Sequence, residues 1–355
     1  MRPETESELA EAVRGARGPL VVRGGGTRSL GMPAGEVLET GGMSGITLYE
    51  PGALTLVARA GTPLAEVEAT LAAEGQRLAF EPPDLRGLLG RAGESTLGGV
   101  VAANASGPRR VQVGACRDFL LGVRFVDGGG QVIKNGGRVM KNVTGYDLVK
   151  LLAGSHGTLG VLTEVSLKVL PASAAEATVV LDGLDDAAAV DAMARALGSP
   201  FEVTGAAHWP GQGTFLRVEG LAAQVDYRAA QLQAMLGGRT VAQGPWADIR
   251  DVAAFRGQPG DVWRLSVKPS DAPGLVARAG ALGCLYDWAG GLVWLLMAPD
   301  ADLRAQLGAF HGHATLVRGH GAPVFQPEPA PVAALTAGLR ARFDPRGVFN
   351  AGLMA

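Results

Sequence analysis

Three clusters of glycine and other small residues interrupt the first half of this chain, and they constrain its fold more than any other feature. They begin at Gly24, Gly93 and Gly154, and glycine supplies 53 of the 355 residues, about twice its ordinary share. The glycines follow no three-residue period, which excludes a collagen-like helix. Since 47 % of the residues are hydrophobic and the net charge is −2, we expect a large core rather than a disordered chain.

The chain is long enough for two domains and a tail. We predict a first domain over residues 1–172, a second domain over 173–324 and a C-terminal segment over 325–355. The first domain mixes helices and strands without the strict alternation of a doubly wound sheet. The second repeats the order strand, helix, strand, strand, which predicts an antiparallel sheet with helices on one face, a cap domain. The predicted fold class is therefore α+β.

The tail carries a proline-rich connection and then a predicted helix over residues 333–342. Leu335 and Leu339 are four residues apart, so one face of that helix would present both. We expect this face to pack inward against the rest of the protein.

Composition excludes several classes of protein. Cys116 and Cys284 are far apart and belong to no cluster, so the chain cannot hold an iron–sulfur cluster or a structural zinc by itself. The near-neutral charge balance and an aromatic content of 5 % argue against nucleic-acid binding. The start is acidic, and the longest apolar stretch, residues 289–299, is shorter than the ~20 residues that span a bilayer. We expect a soluble, intracellular protein without a membrane span.

The first glycine cluster has the chemistry of an anion-binding loop. Consecutive glycines after a strand allow several backbone N–H groups to surround one anion, and Thr27 and Ser29 add hydroxyl donors. The glycine spacing differs from that of a phosphate-binding Walker loop and from the G-x-G-x-x-G fingerprint. The loop suits a pyrophosphate, although a tight turn explains it nearly as well.

The second and third clusters, residues 93–107 and 154–164, combine small residues with hydroxyl and amide side chains. Small side chains allow the backbone to approach a flat ligand, and Ser95, Thr96 and Asn104 offer polar contacts to it. Tight packing between a helix and a sheet is the alternative explanation.

Taken together, the three clusters resemble the FAD-binding domain of the PCMH-type, or vanillyl-alcohol oxidase, flavoprotein superfamily. The resemblance runs over residues 14–171, and within the superfamily it is strongest to the FAD-binding E subunits of bacterial glycolate oxidase. The most specific parts are residues 138–155 and the ending that contains Phe343-Asp344-Pro345 and Phe349-Asn350. The resemblance implies a two-subdomain FAD-binding domain, an antiparallel cap and a returning C-terminal tail.

The resemblance also implies which residues hold FAD. The residues expected around the pyrophosphate are Gly24, Gly25, Gly26, Thr27 and Ser29. Those expected to line the FMN half and the edge of the flavin ring are Thr96, Gly98, Gly99, Asn104, Ser106 and Gly107. Pro83 is expected near the ring, Gly157 and Val161 on the adenine side, and Asn350 where the C-terminus returns to the flavin. Because Thr27 stands where some members attach FAD through a histidine, we expect non-covalent FAD.

Catalytic residues are harder to infer. Hydroxy-acid dehydrogenases of the superfamily carry a His-Glu-His tripeptide in the cap, which this chain lacks, and we predict no metal site. Arg318 and His320 are the candidate catalytic residues, because an arginine suits a substrate carboxylate. Lys141 and Asn142 belong to a polar motif that is explained equally well by structural hydrogen bonding beside the flavin domain and by a functional role. A covalent link through Cys116 is the less favoured alternative to an idle thiol.

These observations favour an FAD-dependent subunit of a glycolate, or 2-hydroxy-acid, oxidase complex. Its expected partners are a small 2-hydroxy acid, a second FAD subunit and an iron–sulfur subunit that receives electrons. The expected location is cytoplasmic, with peripheral attachment to the inner membrane through the complex. The alternatives are a non-catalytic FAD-holding relay or scaffold, a stand-alone flavin alcohol oxidase, and a non-redox nucleotide-phosphate binder.

Overall fold

A computed structural model of the protein describes residues 1–31, 33–138 and 145–354. Lys141 and Asn142 of the polar motif predicted from the sequence lie outside these residues. Within the described ranges, no helix combines the length and the apolar character needed to cross a membrane.

The strands in the described residues have ordinary lengths, whereas many of the helices are short, with four to six residues. The helices, α1 to α13 in chain order, are Glu6–Gly15, Leu64–Ala73, Arg86–Leu89, Leu97–Ala102, Arg110–Val113, Cys116–Phe119, Leu148–Leu152, Asp186–Leu197, Ala222–Leu236, Trp246–Arg250, Ala272–Ala279, Leu303–Leu307 and Ala330–Phe343. The strands, β1 to β17, are Leu20–Arg23, Glu36–Glu39, Ile46–Glu50, Thr55–Arg59, Gln76–Arg77, Leu120–Val126, Val132–Gly136, Val161–Lys168, Leu170–Pro171, Ala175–Leu181, Gly205–Trp209, Gly213–Gly220, Arg239–Val241, Asp261–Val267, Gly283–Asp287, Leu292–Met297 and Gly312–Arg318.

The first domain is built on an antiparallel sheet with the strand order β3-β4-β8-β6-β7. Helices α2 and α4 cover it, and the core between them includes Leu56, Val67, Val100 and Val165. A smaller layer joins the parallel pair β1-β2 to α1 and to the end of the chain. The first glycine cluster follows β1 directly, so this layer sets the position of the loop.

The cap contains an antiparallel sheet with the strand order β13-β10-β12-β11-β15-β16-β14-β17. Strands β10 to β13 form one half of this sheet and β14 to β17 the other, and each half has the same strand order from its outer edge inward. The two halves meet where β11 pairs with β15. Helices α8, α9, α11 and α12 pack on one face of this sheet. The predicted antiparallel cap with helices on one face, and with it the α+β class, is confirmed.

The other face of the cap sheet packs toward the first domain. Along β16, Val293, Leu295 and Met297 enter the core beneath the helices, whereas Leu292 and Trp294 enter the cluster on the opposite face. Because both faces are buried, the strand sequence is continuously apolar rather than alternating.

The prediction that Leu335 and Leu339 of the tail helix point inward is wrong. Helix α13 has no buried residue, and the exposed fractions of Leu335 and Leu339 are 70 % and 39 %. The physical reason is that the small and apolar residues of this helix are distributed around its whole circumference. No face is therefore more apolar than the others and favoured for burial. The tail is held further along, where the Phe343 ring lies 6.0 Å from that of Phe125.

The strands of the two large sheets separate between β9 and β10, at residues 171–175. This separation supports the domain boundary at 172, and both this boundary and the one at 324 stay predictions.

Candidate functional site

The loop after β1 folds against the second glycine cluster so closely that side chains are excluded. A Cβ atom on Gly25 would lie 1.6 Å from the Glu94 carbonyl oxygen, and one on Gly24 would lie 2.3 Å from Thr96 Oγ1. The hydroxyl groups of Thr27 and Ser95 hydrogen-bond to each other at 3.0 Å. None of the backbone N–H groups from Gly25 to Ser29 donates to another described residue. These free amides line a cavity of about 120 Å³ and suit an anion.

Arg28 lies at the wall between this cavity and a larger one of about 420 Å³. Its Nε and Nη1 atoms are buried and have no hydrogen-bond partner in the described chain, while Nη2 approaches Ser95 Oγ at 3.4 Å. Burial lowers the pKa of Arg28 to about 10, despite nearby Asp84 and Asp251, so the group remains charged at neutral pH. A buried, unpartnered cation is costly. Arg28 is therefore suited to an anionic ligand group.

The second glycine cluster forms the floor of both cavities. Thr96 caps helix α4 by accepting a hydrogen bond from the Gly99 N–H at 3.3 Å, and Gly98 packs against Ala60, where a Cβ would lie 2.7 Å away. Asn104 Oδ1 accepts from the Arg117 N–H. Its backbone lies in the left-handed region with φ of 46°.

The hydroxyl of Ser106, also on this floor, accepts from the Cys116 N–H at 2.9 Å. The side chains of Asn104 and Ser106 thus shape the loop whose backbone faces the cavity. Cys116 itself is fully buried, and burial raises the pKa of its thiol.

The third cluster and the C-terminal tail close the opposite side. Asn350 accepts a hydrogen bond from the Val22 N–H at 2.8 Å and donates to the His156 carbonyl oxygen at 2.7 Å, which joins the tail to β1. Gly157 lines a cavity of about 80 Å³ together with Gly98 and Gly99. Val161 begins β8 fully buried, and its neighbours in sequence rather than Val161 itself line that cavity.

The 420 Å³ cavity lies between the first domain and the cap. The first domain contributes four of the predicted residues, Pro83, Asn104, Ser106 and Gly107. The cap contributes side chains that alternate along strands of its open face, namely Arg264 and Ser266 on β14, Leu292 and Trp294 on β16, and His313, Thr315 and Val317 on β17. Asp287 and Trp288, where β15 ends, complete the wall.

Positive charge dominates this cavity. The guanidinium carbon atoms of Arg110 and Arg264 lie 4.4 and 5.3 Å from the centre of the Trp288 ring. Burial, reinforced by the charge of Arg110, lowers the pKa of Arg264 to about 10. Burial and the charge of Arg264 lower the pKa of His156 to about 4, so this imidazole is neutral at physiological pH.

The predicted catalytic residues Arg318 and His320 lie elsewhere. They line a different cavity, of about 660 Å³, between the end of β17 and the tail. The Arg318 guanidinium donates to the backbone carbonyls of Gly260, Leu88, Phe255 and Gln258. The structure brings the predicted loop residues together, and of the predicted FAD residues only Ser29 also lines the cavity of Arg318 and His320.

Sequence reasoning missed Arg110, Arg264, Asp287 and Trp288 as residues of this cavity. A signal was available in β14, where Arg264 interrupts the apolar run Val262-Trp263-Arg264-Leu265. A charged residue within a strand that is buried on both faces marks a place where the sheet meets a cavity. Nothing local distinguishes Arg110, which only the packing of the cap onto the first domain brings to the site.

Comparisons with known proteins agree with this architecture. The family described as "FAD binding domain" matches residues 1–136. The glycolate oxidase subunit GlcE of Escherichia coli K12 is 38 % identical over 341 residues, which are 95 % of this chain and 92 % of that protein. Subunit GlcD of glycolate oxidase from Bacillus subtilis is 35 % identical over 44 % of this chain and 32 % of its own length.

Among solved structures, alkyldihydroxyacetonephosphate synthase superposes with a TM-score of 0.72 at 16 % identity, covering 99 % of this chain and 76 % of the other. This likeness extends over both domains and shows the shared fold.

The fold, the three glycine loops and the shared cavities define an FAD-linked oxidoreductase. This chain belongs to the family that contains the glycolate oxidase subunit GlcE. The site fits FAD on its own chemistry, because the free amides of the first loop and the unpartnered Arg28 guanidinium are donors suited to a pyrophosphate. The prediction of FAD as cofactor is confirmed, and non-covalent attachment stays a prediction.

Proposed function

We propose that this chain is an FAD-dependent subunit of a glycolate oxidase or dehydrogenase complex and oxidises a short 2-hydroxy acid. Its family supports the reaction class. The observation that carries the proposal on the chain's own residues is the pair Arg110 and Arg264. Both line the 420 Å³ cavity, and neither has a carboxylate partner within the described part of the chain.

Arginine in this position suits a substrate carboxylate, because its planar fork can donate two parallel hydrogen bonds to one carboxyl group. Trp288 holds both guanidinium groups by stacking against them, which fixes their direction without using their hydrogen-bond donors. The same cavity must accept the flavin ring, so the remaining volume favours an acid of a few carbon atoms. Bound FAD supplies the two-electron acceptor.

We propose that different residues of the first domain bind different parts of FAD. We assign the pyrophosphate to Gly24, Gly25, Gly26, Thr27, Ser29 and Arg28, and the flavin to Pro83, Thr96, Asn104, Ser106 and Gly107. Gly98 and Gly99 are likewise assigned to the FMN half, and Gly157, which shares the third cavity with them, is assigned with the start of β8 at Val161 to the adenine side. Asn350 positions the loop around His156 rather than contacting substrate.

Electrons leave this chain to an acceptor that it does not carry. In the described residues no group of three or more His, Cys, Asp or Glu side chains could hold a metal ion, and the sequence has only two cysteines. An iron–sulfur subunit and a second FAD subunit, in a complex in the cytoplasm at the face of the inner membrane, complete the proposal.

The test is an anaerobic visible spectrum of the full chain with FAD, before and after addition of glycolate or D-lactate. We expect either acid to bleach the flavin band. The variant Arg264→Gln should raise the concentration of acid needed for half-maximal bleaching about 100-fold, since it removes a charged partner of the carboxylate. Arg239→Gln, at an exposed arginine of β13, is the matched control and should bleach like the natural protein.

Three other outcomes contradict the proposal, and each favours a different alternative. A flavin band that ignores both acids but is bleached by dithionite favours a relay subunit. Rapid reoxidation by oxygen, with turnover that no partner increases, favours a stand-alone oxidase. A colourless protein after supply of FAD removes the cofactor assignment and leaves a nucleotide-phosphate binder.

A further inference from the structure

The turn between β15 and β16 carries Asp287 and Trp288 into the cavity and has an unusual backbone. Trp288 and Ala289 are consecutive non-glycine residues in the left-handed region, with φ of 51° and 55°. Such conformations are strained for residues with a side chain and persist where surrounding contacts enforce them. Here Asp287 Oδ1 accepts from the Trp288 N–H at 2.7 Å, and Trp288 Nε1 donates to the Gly107 carbonyl oxygen at 3.0 Å. The turn is thus fixed against the loop that the flavin is expected to contact.

Asp287 is the only carboxylate among the described residues that line this cavity. Its side chain is almost fully buried, and the hydrogen bond from Trp288 engages Oδ1 alone, which leaves Oδ2 without a donor among the described residues. Three charged groups on surrounding elements act on it: Arg264 on β14, Arg217 on β12 and Glu81 in the first domain. On the cavity's other walls stand Arg110, beyond the Trp288 ring, and the side chains of His313, His156, Arg28 and Arg250.

These surroundings raise the pKa of the Asp287 carboxyl group above its ordinary range. Burial, reinforced by the charge of Glu81, raises the pKa of Asp287 to about 7, although the Trp288 N–H and the charges of Arg217 and Arg264 oppose the rise. A carboxyl group that titrates near neutral pH can both accept and release a proton under physiological conditions.

The other titratable groups of the cavity are less suited to accept a proton. The pKa of His156 is lowered to about 4 and that of His313 is lowered as well, by burial and by the charge of Arg264. Glu81, just outside the cavity, uses both carboxylate oxygens to accept hydrogen bonds from Arg217, and Oε2 also accepts the Arg109 N–H.

We propose that Asp287 is the catalytic base that accepts the hydroxyl proton of the 2-hydroxy acid whose carboxylate Arg110 and Arg264 hold. This inference rests on the proposed function. The substrate O–H bond breaks and its proton goes to Asp287 Oδ2, while the oxygen electron pair forms the C=O bond of a 2-oxo acid. The substrate C–H bond breaks with its electron pair, which leaves as hydride to oxidised FAD. Asp287 returns its proton to solvent when the product leaves.

The variant Asp287→Asn tests the role with little change in shape, since an amide oxygen can still accept from the Trp288 N–H. Anaerobic flavin reduction by saturating glycolate should slow about 10²- to 10⁴-fold, the usual contribution of general base catalysis. In the natural protein the rate should rise as pH rises through about 7, where Asp287 loses its proton. Asp182→Asn, at an exposed carboxylate of the cap, is the matched control and should behave like the natural protein.

A second readout needs no turnover. Oxalate, a dianion that cannot be oxidised by removal of a hydride from carbon, is titrated against the FAD-loaded chain while the shift of the flavin spectrum is followed. Ionised Asp287 repels this anion, so the dissociation constant of the natural protein should increase by up to about tenfold per pH unit above 7. In Asp287→Asn the dissociation constant should be flat from pH 5 to 9 and equal to the natural value at pH 5.

Flavin reduction in Asp287→Asn at the natural rate would overturn the inference, and so would oxalate binding in the natural protein that does not change with pH. Both of these results leave the proposed function standing. If glycolate, D-lactate and oxalate all fail to perturb the flavin of the natural protein at every pH, the proposed function fails and the role of Asp287 falls with it. The oxalate titration of the natural protein decides the matter even if the variant does not fold.

Discussion

Two groups of buried charges lie between the first domain and the cap, and they differ in how their charges are used. In the first, which we call the interdomain network, Glu81, Arg77 and Arg109 of the first domain meet Arg217 and Glu219 of the cap. Arg217 donates to both oxygens of Glu81 at 2.8 Å, and Arg77 contacts Glu219 at 2.8 Å. Arg109 also pairs with Glu219.

In the second group, which we call the cavity group, Arg28, Arg110 and Arg264 have no carboxylate within ion-pair distance among the described residues. The two groups therefore have different roles. The paired charges of the interdomain network hold the domains together, whereas the unpaired charges of the cavity group are suited to bind an anionic ligand. We therefore expect substitutions in the interdomain network to lower the free energy of unfolding, and substitutions in the cavity group to weaken ligand binding instead.

The largest effect is expected from Arg217→Met. Its side chain is 3 % exposed, so its removal leaves Glu81 and Glu219 buried with fewer partners. Breaking a buried ion pair from one side costs about 3–5 kcal/mol, and urea denaturation should show this loss in the free energy of unfolding.

Arg239→Met is the control for Arg217→Met. It removes an exposed pair with Asp182 and should cost less than about 1 kcal/mol. If Arg217→Met kept its stability and lost only ligand binding, the distinction between the two groups would break down.

Acid should weaken the same network. Burial alone would raise the pKa of Glu219, but the charges of Arg217 and Arg109 outweigh it and lower that pKa to about 2. The lowered pKa means that Glu219 stabilises the folded state above its ordinary pKa, and that this contribution is lost as pH falls toward 2. A shift of this size corresponds to about 3 kcal/mol, present at pH 6 and decreasing below about pH 4.5.

Urea midpoints for the natural protein and for Glu219→Gln check this expectation. The two should differ most at pH 6 and converge as the pH falls toward 3, whereas Glu11→Gln, at an exposed residue, should follow the natural protein throughout. A constant difference over this range would mean that Glu219 stabilises by shape rather than by charge.

Much of the fold could be predicted from the sequence because it depends on local patterns. The repeated strand-helix-strand-strand order predicts the antiparallel sheet of the cap, and the structure has that sheet. The residue types around Gly24 and Gly25 predict a tight loop that could surround an anion, although by themselves they do not distinguish such a site from a simple turn.

The cavity group resisted prediction because it is assembled over long distances. Arg110 follows the second glycine cluster, whereas Arg264 lies more than a hundred residues later on β14 of the cap, and only the docking of the cap brings Arg110 to the Trp288 ring. Arg318 is a candidate because an arginine suits a substrate carboxylate, but its guanidinium donates to backbone carbonyls of Leu88 and Phe255, which are far away in sequence.

A substitution of Arg28 is expected to have the smallest effect of these variants, and to change FAD affinity and stability in opposite directions. Arg28→Met should lower the affinity for FAD about 10- to 100-fold, because the charged hydrogen bonds proposed to the pyrophosphate are lost. Yet the free energy of unfolding of the FAD-free protein should stay equal or increase, since an unpartnered buried cation is replaced by an apolar side chain of similar length.

FAD titration by quenching of flavin fluorescence, together with urea denaturation of the FAD-free protein, measures both quantities. Arg28→Lys keeps the charge without the planar fork and should lie between the natural protein and Arg28→Met, while the exposed Arg17→Met should match the natural protein. A cation of the interdomain network cannot give this result, because removing it weakens the folded state whether or not a ligand is present. Loss of stability in Arg28→Met with unchanged FAD affinity would therefore move Arg28 from the cavity group to the structural one.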